Sequence, residues 1–132
     1  MWVGMGDRQQ LIRDAFAAYS HGELKPLRTL LDADARWLGV PQGRSAADTP
    51  CCRDRSEIVS LLDRHYANGR RFALGGMIEW GNRVAVEITI ENPEWSGPVS
   101  AFKVFTFRPG SDVVIRLNDC VDESYALQVL AA

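Results

Sequence analysis

The sequence is poor in the residues that build metal sites and covalent frameworks. It holds three cysteines and two histidines in 132 residues. Cys51 and Cys52 are adjacent and Cys120 stands apart, so the odd total makes no disulfide framework. No Cys-x-x-Cys or Cys/His pair has zinc spacing, and no glycine fingerprint for a nucleotide is present. The expectation is a chain with neither metal nor nucleotide cofactor and with reduced thiols, as in the cytoplasm. Long hydrophobic runs are also missing. Nothing approaches the roughly 18 apolar residues of a membrane span, and the opening MWVGMG is too short and uncharged for a signal peptide. Charge of one sign is not in excess: 15 Lys+Arg against 17 Asp+Glu gives 15 − 17 = −2. That balance excludes a broadly basic surface that coats nucleic acid. A soluble, cytoplasmic protein that binds neither nucleic acid nor membrane is expected.

What is present is ordinary globular composition, 46% hydrophobic and 24% charged, in a length that suits one domain over residues 1–132. Leu11, Ile12, Ala15, Phe16 and Tyr19 recur at spacings of three and four, which predicts a helix that Asp7 caps and Gly22 ends. A second helical piece follows, with Leu24, Leu27, Leu30 and Leu31 on one side and Pro26 in its first turn. A short strand over 35–40 carries Trp37, and residues 41–54 read as an irregular loop. A third helix is predicted from a Ser56 cap to Ala67, with Ile58, Leu61, Leu62 and His65 on its apolar face. Four strand patterns follow, 71–80, 83–91, 99–108 and 112–121, separated by short turns that make neighbours antiparallel. Asp122 caps a last helix that runs to Leu130. Helices first and a meander after is an α+β order, with helices packed on one face of a curved sheet.

Strand alternation sorts the side chains. Val84, Val86, Ile88 and Ile90 share one face of their strand. In the last strand Val113, Ile115, Leu117, Asp119 and Val121 share a face that is apolar apart from Asp119. A carboxylate there must find a donor, take a proton or meet a water-filled cavity. A structural and a functional role for it both stand at this point. If Asp119 lacked a partner, Asp119→Asn would keep or raise stability near neutral pH. His65 reads as a core histidine or a proton shuttle. Lys103 lies in a strand with two apolar faces, so its direction stays open. Arg70, Arg71, Arg53 and Arg55 form no stripe with aromatics and read as solvated surface. Gly75-Gly76 inside a strand marks a bulge or bend. The opposite sheet face carries Thr89, Ser100, Phe102, Val104, Thr106 and Cys120, which is apolar enough to predict a homodimer through it.

Three stretches together are similar to SnoaL-like domains of the nuclear transport factor 2-like superfamily: LIRDAFAAYSHGELKPLRTLLDADARW, CRDRSEIVSLL and VVIRLNDCVDESYAL. They cover nearly the whole chain in the family's order. The resemblance implies a cone, a strongly bent antiparallel sheet wrapped round three helices with a pocket between. The fold hosts several activities, so each is tested by position. The three groups of ketosteroid isomerases correspond to Ala15, Gly39 and Lys103 here, and none is kept. Of the limonene-epoxide hydrolase groups, Asp119 matches the last-strand aspartate; Trp37 and Gly39 replace the water holders, and Ile88 and Ile90 replace an Arg–Asp pair. SnoaL-type cyclases need a single late acid, for which Asp119 is the candidate. The reading is a small-molecule-binding protein for an apolar organic ligand, acting as a cofactor-independent lyase, isomerase or cyclase through Asp119 with His65. Its expected lining is Phe16, Tyr19, Trp37, Ile88, Ile90, Phe105 and Leu117. The alternative is a non-catalytic association module with a filled core.

Overall fold

The computed structural model describes residues 7–39 and 50–132. Helix α1 spans Asp7–Tyr19 and α2 spans Lys25–Leu30. Strand β1 is Leu31–Leu38 and β2 is Pro50–Cys52. Helix α3 covers Arg55–Ala67, followed by β3 (Arg71–Trp80), β4 (Arg83–Glu91), β5 (Val99–Phe107), β6 (Val114–Cys120) and α4 (Glu123–Ala131). The predicted features at 1–6, Val40 and 41–49 lie outside the described residues.

Several local expectations shift by a residue or more. Leu31 leaves the second helix and opens β1, because Leu31 already has extended backbone (φ −91, ψ 137). The cap of α3 is Asp54 and not Ser56: its carboxylate accepts from the Glu57 N–H at 2.9 Å, and a carboxylate at that place also suits the helix dipole. Asp122 caps α4 as read, accepting from the Tyr125 N–H at 2.9 Å. Residues 50–52 form a short strand where a loop was expected. Leu11 is 37% exposed and stands off the buried face that Ile12, Ala15, Phe16 and Tyr19 make.

The sheet order is β2-β1-β6-β5-β4-β3. Its β3–β4–β5–β6 part is an antiparallel meander, but β1 pairs with β6 in parallel, so the sheet is mixed and not wholly antiparallel. The register breaks between Leu74 and Met77, at Gly75-Gly76, as expected of a bulge. A second break between Thr106 and Phe107 flips the start of β6. Val114 therefore enters the core with 0% exposure, displacing the inward places assigned to Val113 and Ile115. A bulge of one residue inverts every side chain before it, which alternation alone does not reveal.

Helices α1–α3 cover one face. Ile12, Phe16, Tyr19, Leu27, Leu30, Ile58 and Leu62 meet Val84, Val86, Ile88, Phe105, Phe107 and Leu117 in one buried cluster. The other face was expected bare and self-associating. Instead α4 lies on it: Ala126 and Leu130 pack with Ala85, Val104 and Cys120, and Phe102 borders them. Val104, Thr106 and Cys120 are buried within the chain, so the apolarity of this face is accounted for by its own last helix. Arg83 fixes that helix by donating Nη1 to the carbonyls of Val129 (2.9 Å) and Ala132. Among the described residues no helix is long and apolar enough to cross a membrane.

Candidate functional site

Strand pairing aims three side chains at one place. Lys103 of β5 lies opposite Val86 of β4 and Asp119 of β6, which fixes it on the inner face. Trp37 of β1 lies opposite Leu117, two residues from Asp119 along β6. The resulting contacts are an ion pair between Lys103 Nζ and Asp119 Oδ1 and a hydrogen bond from Trp37 Nε1 to Asp119 Oδ2 at 2.8 Å. The Lys103 ammonium also lies 4.2 Å from the centroid of the Trp37 ring, a cation–π distance. Lys103 is 6% exposed, and a lysine so buried needs its counter-charge. Asp119 thus finds donors, and the unpaired carboxylate considered from the sequence is not what the fold makes.

Beside this triad is a cavity of about 120 Å³ bordered by Trp37, His65, Phe72, Ile88, Ile90, Lys103 and Asp119. An apolar cavity of about 150 Å³ accepts benzene, so the space suits one small ring. Arg70 closes its rim, with its guanidinium 5.0 Å from the centroid of Trp95. Arg70 Nη1 contacts His65 Nε2 at 3.3 Å. A guanidinium only donates, so Nε2 accepts and the imidazole proton sits on Nδ1. Burial first, then the charges of Arg70, Arg64 and Lys103, push the His65 pKa down to about 4, while Asp119 opposes them. His65 is a neutral ring at physiological pH.

The expected lining divides in two. Trp37, His65, Ile88, Ile90 and Asp119 border the cavity. Phe16, Phe105 and Leu117 lie deeper, where the space among side chains shrinks to about 10 Å³, room for one water at most. Phe16 stacks edge-on with Phe72 and Phe105, at centroid distances of 6.3 and 6.0 Å. These three residues belong to the packed core and do not border the cavity beside Asp119. Tyr19 is also core: it is 2% exposed and donates Oη to the Leu62 carbonyl at 2.5 Å. Burial pushes its pKa up to about 12.

The sequence reading missed Lys103 and Arg70 as site residues. Closing β4 on β5 across the 92–98 turn would put Lys103 opposite Glu87 on the outer face; the structure pairs Ile90 with Val99, which sets Lys103 opposite Val86 on the inner face, a one-residue offset that the sequence did not signal. Arg70 had no signal either, because it lies in the turn after α3, outside any alternation. Among the described residues no group of three His, Cys, Asp or Glu side chains is placed to hold a metal.

The fold is the α+β fold seen in solved nuclear transport factor 2-like and cystatin-fold proteins. The chain is similar to a nuclear transport factor 2-like protein of unknown function from Burkholderia pseudomallei, at 20% identity and a TM-score of 0.70 over 97% of this chain and 100% of that one. It is similar to an LEH-like epoxide hydrolase from M. tuberculosis, at 16% identity and a TM-score of 0.68 over 95% and 90% of the two chains. It also resembles SalBIII, an epoxide hydrolase/cyclase-like enzyme of pyran ring formation in polyether salinomycin, at 14% identity and a TM-score of 0.69 over 89% and 92%. No protein-family model matches the chain, and no curated protein does.

Proposed function

We propose that this chain binds a small cyclic organic molecule in the cavity beside Asp119 and moves a proton α to its carbonyl, without a cofactor. The observation that carries the reading is that Lys103, Asp119 and His65 border the same ring-sized cavity, whose other walls are apolar apart from Arg70 at the rim. A carbonyl oxygen set against the Lys103 ammonium gains charge stabilisation as an enolate forms. The Asp119 carboxylate gives one oxygen to Lys103 and the other to Trp37, and each oxygen keeps a second lone pair for the proton. His65, being neutral, offers Nδ1–H as a donor to the ligand. The structural relatives named for cyclase and epoxide chemistry are consistent with small organic ligands in this fold.

The test is deuterium uptake. In D2O the wild-type protein should accelerate exchange of the α-protons of cyclohexanone at least tenfold over an equal concentration of Asp119→Asn, with saturation in ketone. Exchange no faster than buffer, with no shift of the Ile88 or Ile90 amides on adding ketone, removes the reading. A specific observation favours the alternative, a non-catalytic module: below the cavity the core is filled and Asp119 is bonded to Trp37. Under it, Asp119 variants change stability and nothing else.

The thiols Cys51, Cys52 and Cys120 are free, which suits a reducing compartment, and we place the protein in the cytoplasm on that ground. For self-association we propose a homodimer through the part of the outer face that α4 leaves uncovered. Trp80 there is 68% exposed and Ile78 48%, both on edge strand β3, with Leu127 of α4 (43% exposed) beside Ile78 on one surface groove. Sedimentation should show a dimer at micromolar concentration that Trp80→Glu converts to monomer; a wild-type monomer at that concentration refutes it.

A further inference from the structure

Building on the small-molecule reading above, we infer that the ligand of this cavity is a ring-sized carboxylate, held by Arg70 at the rim. Three observations lead there. The first is charge. Among the described residues, ion pairs join Lys103 to Asp119 and Arg108 to Asp32, and Arg70 has no carboxylate partner. Lys103 and Arg70 against Asp119, with His65 neutral, leave one positive charge in excess at a cavity whose other walls are apolar. A half-buried cation facing such walls is complemented by a monoanion.

The second is an orphaned donor. Arg70 Nε–H is buried and has no hydrogen-bond acceptor, although Nη1 of the same group contacts His65. A buried charged donor left unmade is costly, and buried polar groups nearly always have partners. A guanidinium presents Nε–H and an Nη–H in the fork geometry that a carboxylate matches. The third is posture. The guanidinium lies 5.0 Å from the Trp95 centroid and is braced by His65, so it is held at the rim and is not a free surface arm. Burial lowers the His65 pKa most, and the positive charges of Arg70, Arg64 and Lys103 lower it further against Asp119.

The test compares benzoate with benzamide, the same ring in anionic and neutral form, by titrating the 15N-labelled full chain and following amide shifts. Benzoate should bind at least tenfold more tightly than benzamide, with saturable shifts at Ile88, Ile90 and Lys103. Arg70→Gln should weaken benzoate at least tenfold and leave benzamide within twofold. If that variant does not fold, as its spectrum reports directly, Arg70→Lys serves. It keeps the charge without the Nε–H and should weaken benzoate three- to tenfold. Equal binding of benzoate and benzamide, or full benzoate affinity in the Arg70 variant, overturns the carboxylate assignment and leaves the cavity reading standing. No saturable binding of either ring, nor of cyclohexanone, overturns both.

Discussion

Replacing Asp119 by Asn separates an anchored carboxylate from a free one. The Asp119 side chain is 25% exposed and that of Lys103 7%, so the change removes the counter-charge of a nearly buried ammonium. Breaking a fully buried pair from one side costs about 3–5 kcal/mol. Partial exposure of Asp119 lowers that, and the Trp37 ring face retains some attraction for the ammonium. The Asn carbonyl can accept from Trp37 Nε1–H or from Lys103, while its amide group adds a donor where two donors already converge. The expected loss is about 2–3 kcal/mol. In urea at pH 7 that moves the midpoint down by roughly 1–2 M at an unchanged slope.

A double-mutant cycle isolates the pair. Lys103→Met alone leaves Asp119 with its Trp37 bond and some solvent, at a cost of about 1–2 kcal/mol. The double variant Lys103→Met/Asp119→Asn carries no orphaned charge, so it should lose at least about 1 kcal/mol less than the sum of the single changes. Asp119→Asn within about 0.5 kcal/mol of the parent, or strict additivity in the cycle, refutes the argument. The carboxylate would then be unpaired in solution, as one reading of the sequence allowed.

The remaining predictions concern other parts of the fold. The His65 pKa is lowered from 6.5 to about 4, so the unfolded chain takes the proton first; the His65 contribution to stability is whole above pH 6.5 and lost as pH falls toward 4, and the urea midpoint of His65→Gln should fall less across that window than that of the parent. Tyr19 is raised from 10.0 to about 12, so the unfolded chain loses the proton first and stability drops as pH rises between those values. Tyr19→Phe should cost about 1 kcal/mol at pH 7 and flatten that alkaline decline; an unchanged decline in a pH series of melts counts against it. Gly69 has φ +89 and an added Cβ would lie 2.7 Å from Pro93 Cγ, whereas Gly110 has φ +70 and open space around it. Both alanine variants pay about 1 kcal/mol for the left-handed backbone, and Gly69→Ala should melt at the lower temperature; equal melting refutes the contact. The Cys120 thiol is 0% exposed beneath α4, so in the folded protein it should react with a thiol reagent far more slowly than exposed Cys51.

The parts of this molecule that were legible in the sequence are those set by local periodicity. The bounds of β3 and β4 follow directly from alternation between turn residues, and the inward set Val84, Val86, Ile88 and Ile90 is buried or half-buried as read. The α4 cap follows from one aspartate before an apolar run. What alternation does not carry is which strand lies beside which, and what covers a face from the far end of the chain. The parallel β1–β6 pair joins residues some 80 positions apart and places Trp37 against Asp119, a contact with no local trace. The outer face was apolar for a reason further along the chain, in Ala126 and Leu130 of the last helix, and a second copy of the chain explained the same composition equally well.

The site shows the same division at the level of single side chains. Asp119 was conspicuous because a carboxylate broke an apolar alternation, and the fold does place it beside a cavity. Its chemistry, though, is set by what faces it. A lone carboxylate among Ile88, Ile90 and Leu117 would be driven toward its neutral form. Opposite Lys103 it belongs to an ion pair whose members share one cross-strand position of the β5–β6 hairpin. That position is fixed by the bulge at Thr106/Phe107, since a regular hairpin counted from the 109–111 turn shifts the pairing by one residue and puts a different side chain opposite Asp119. A single extra residue in β6 therefore decides whether Asp119 faces the interior opposite Lys103 or turns to the outer face opposite Phe102. Deleting Ile115 removes only the bulged residue and should leave Lys103 opposite Asp119, whereas inserting one residue between Arg116 and Asp119 should uncouple the pair and lose the cooperative urea transition; Ile115→Val, which keeps the count, should leave the Lys103–Asp119 coupling energy intact within about 0.5 kcal/mol.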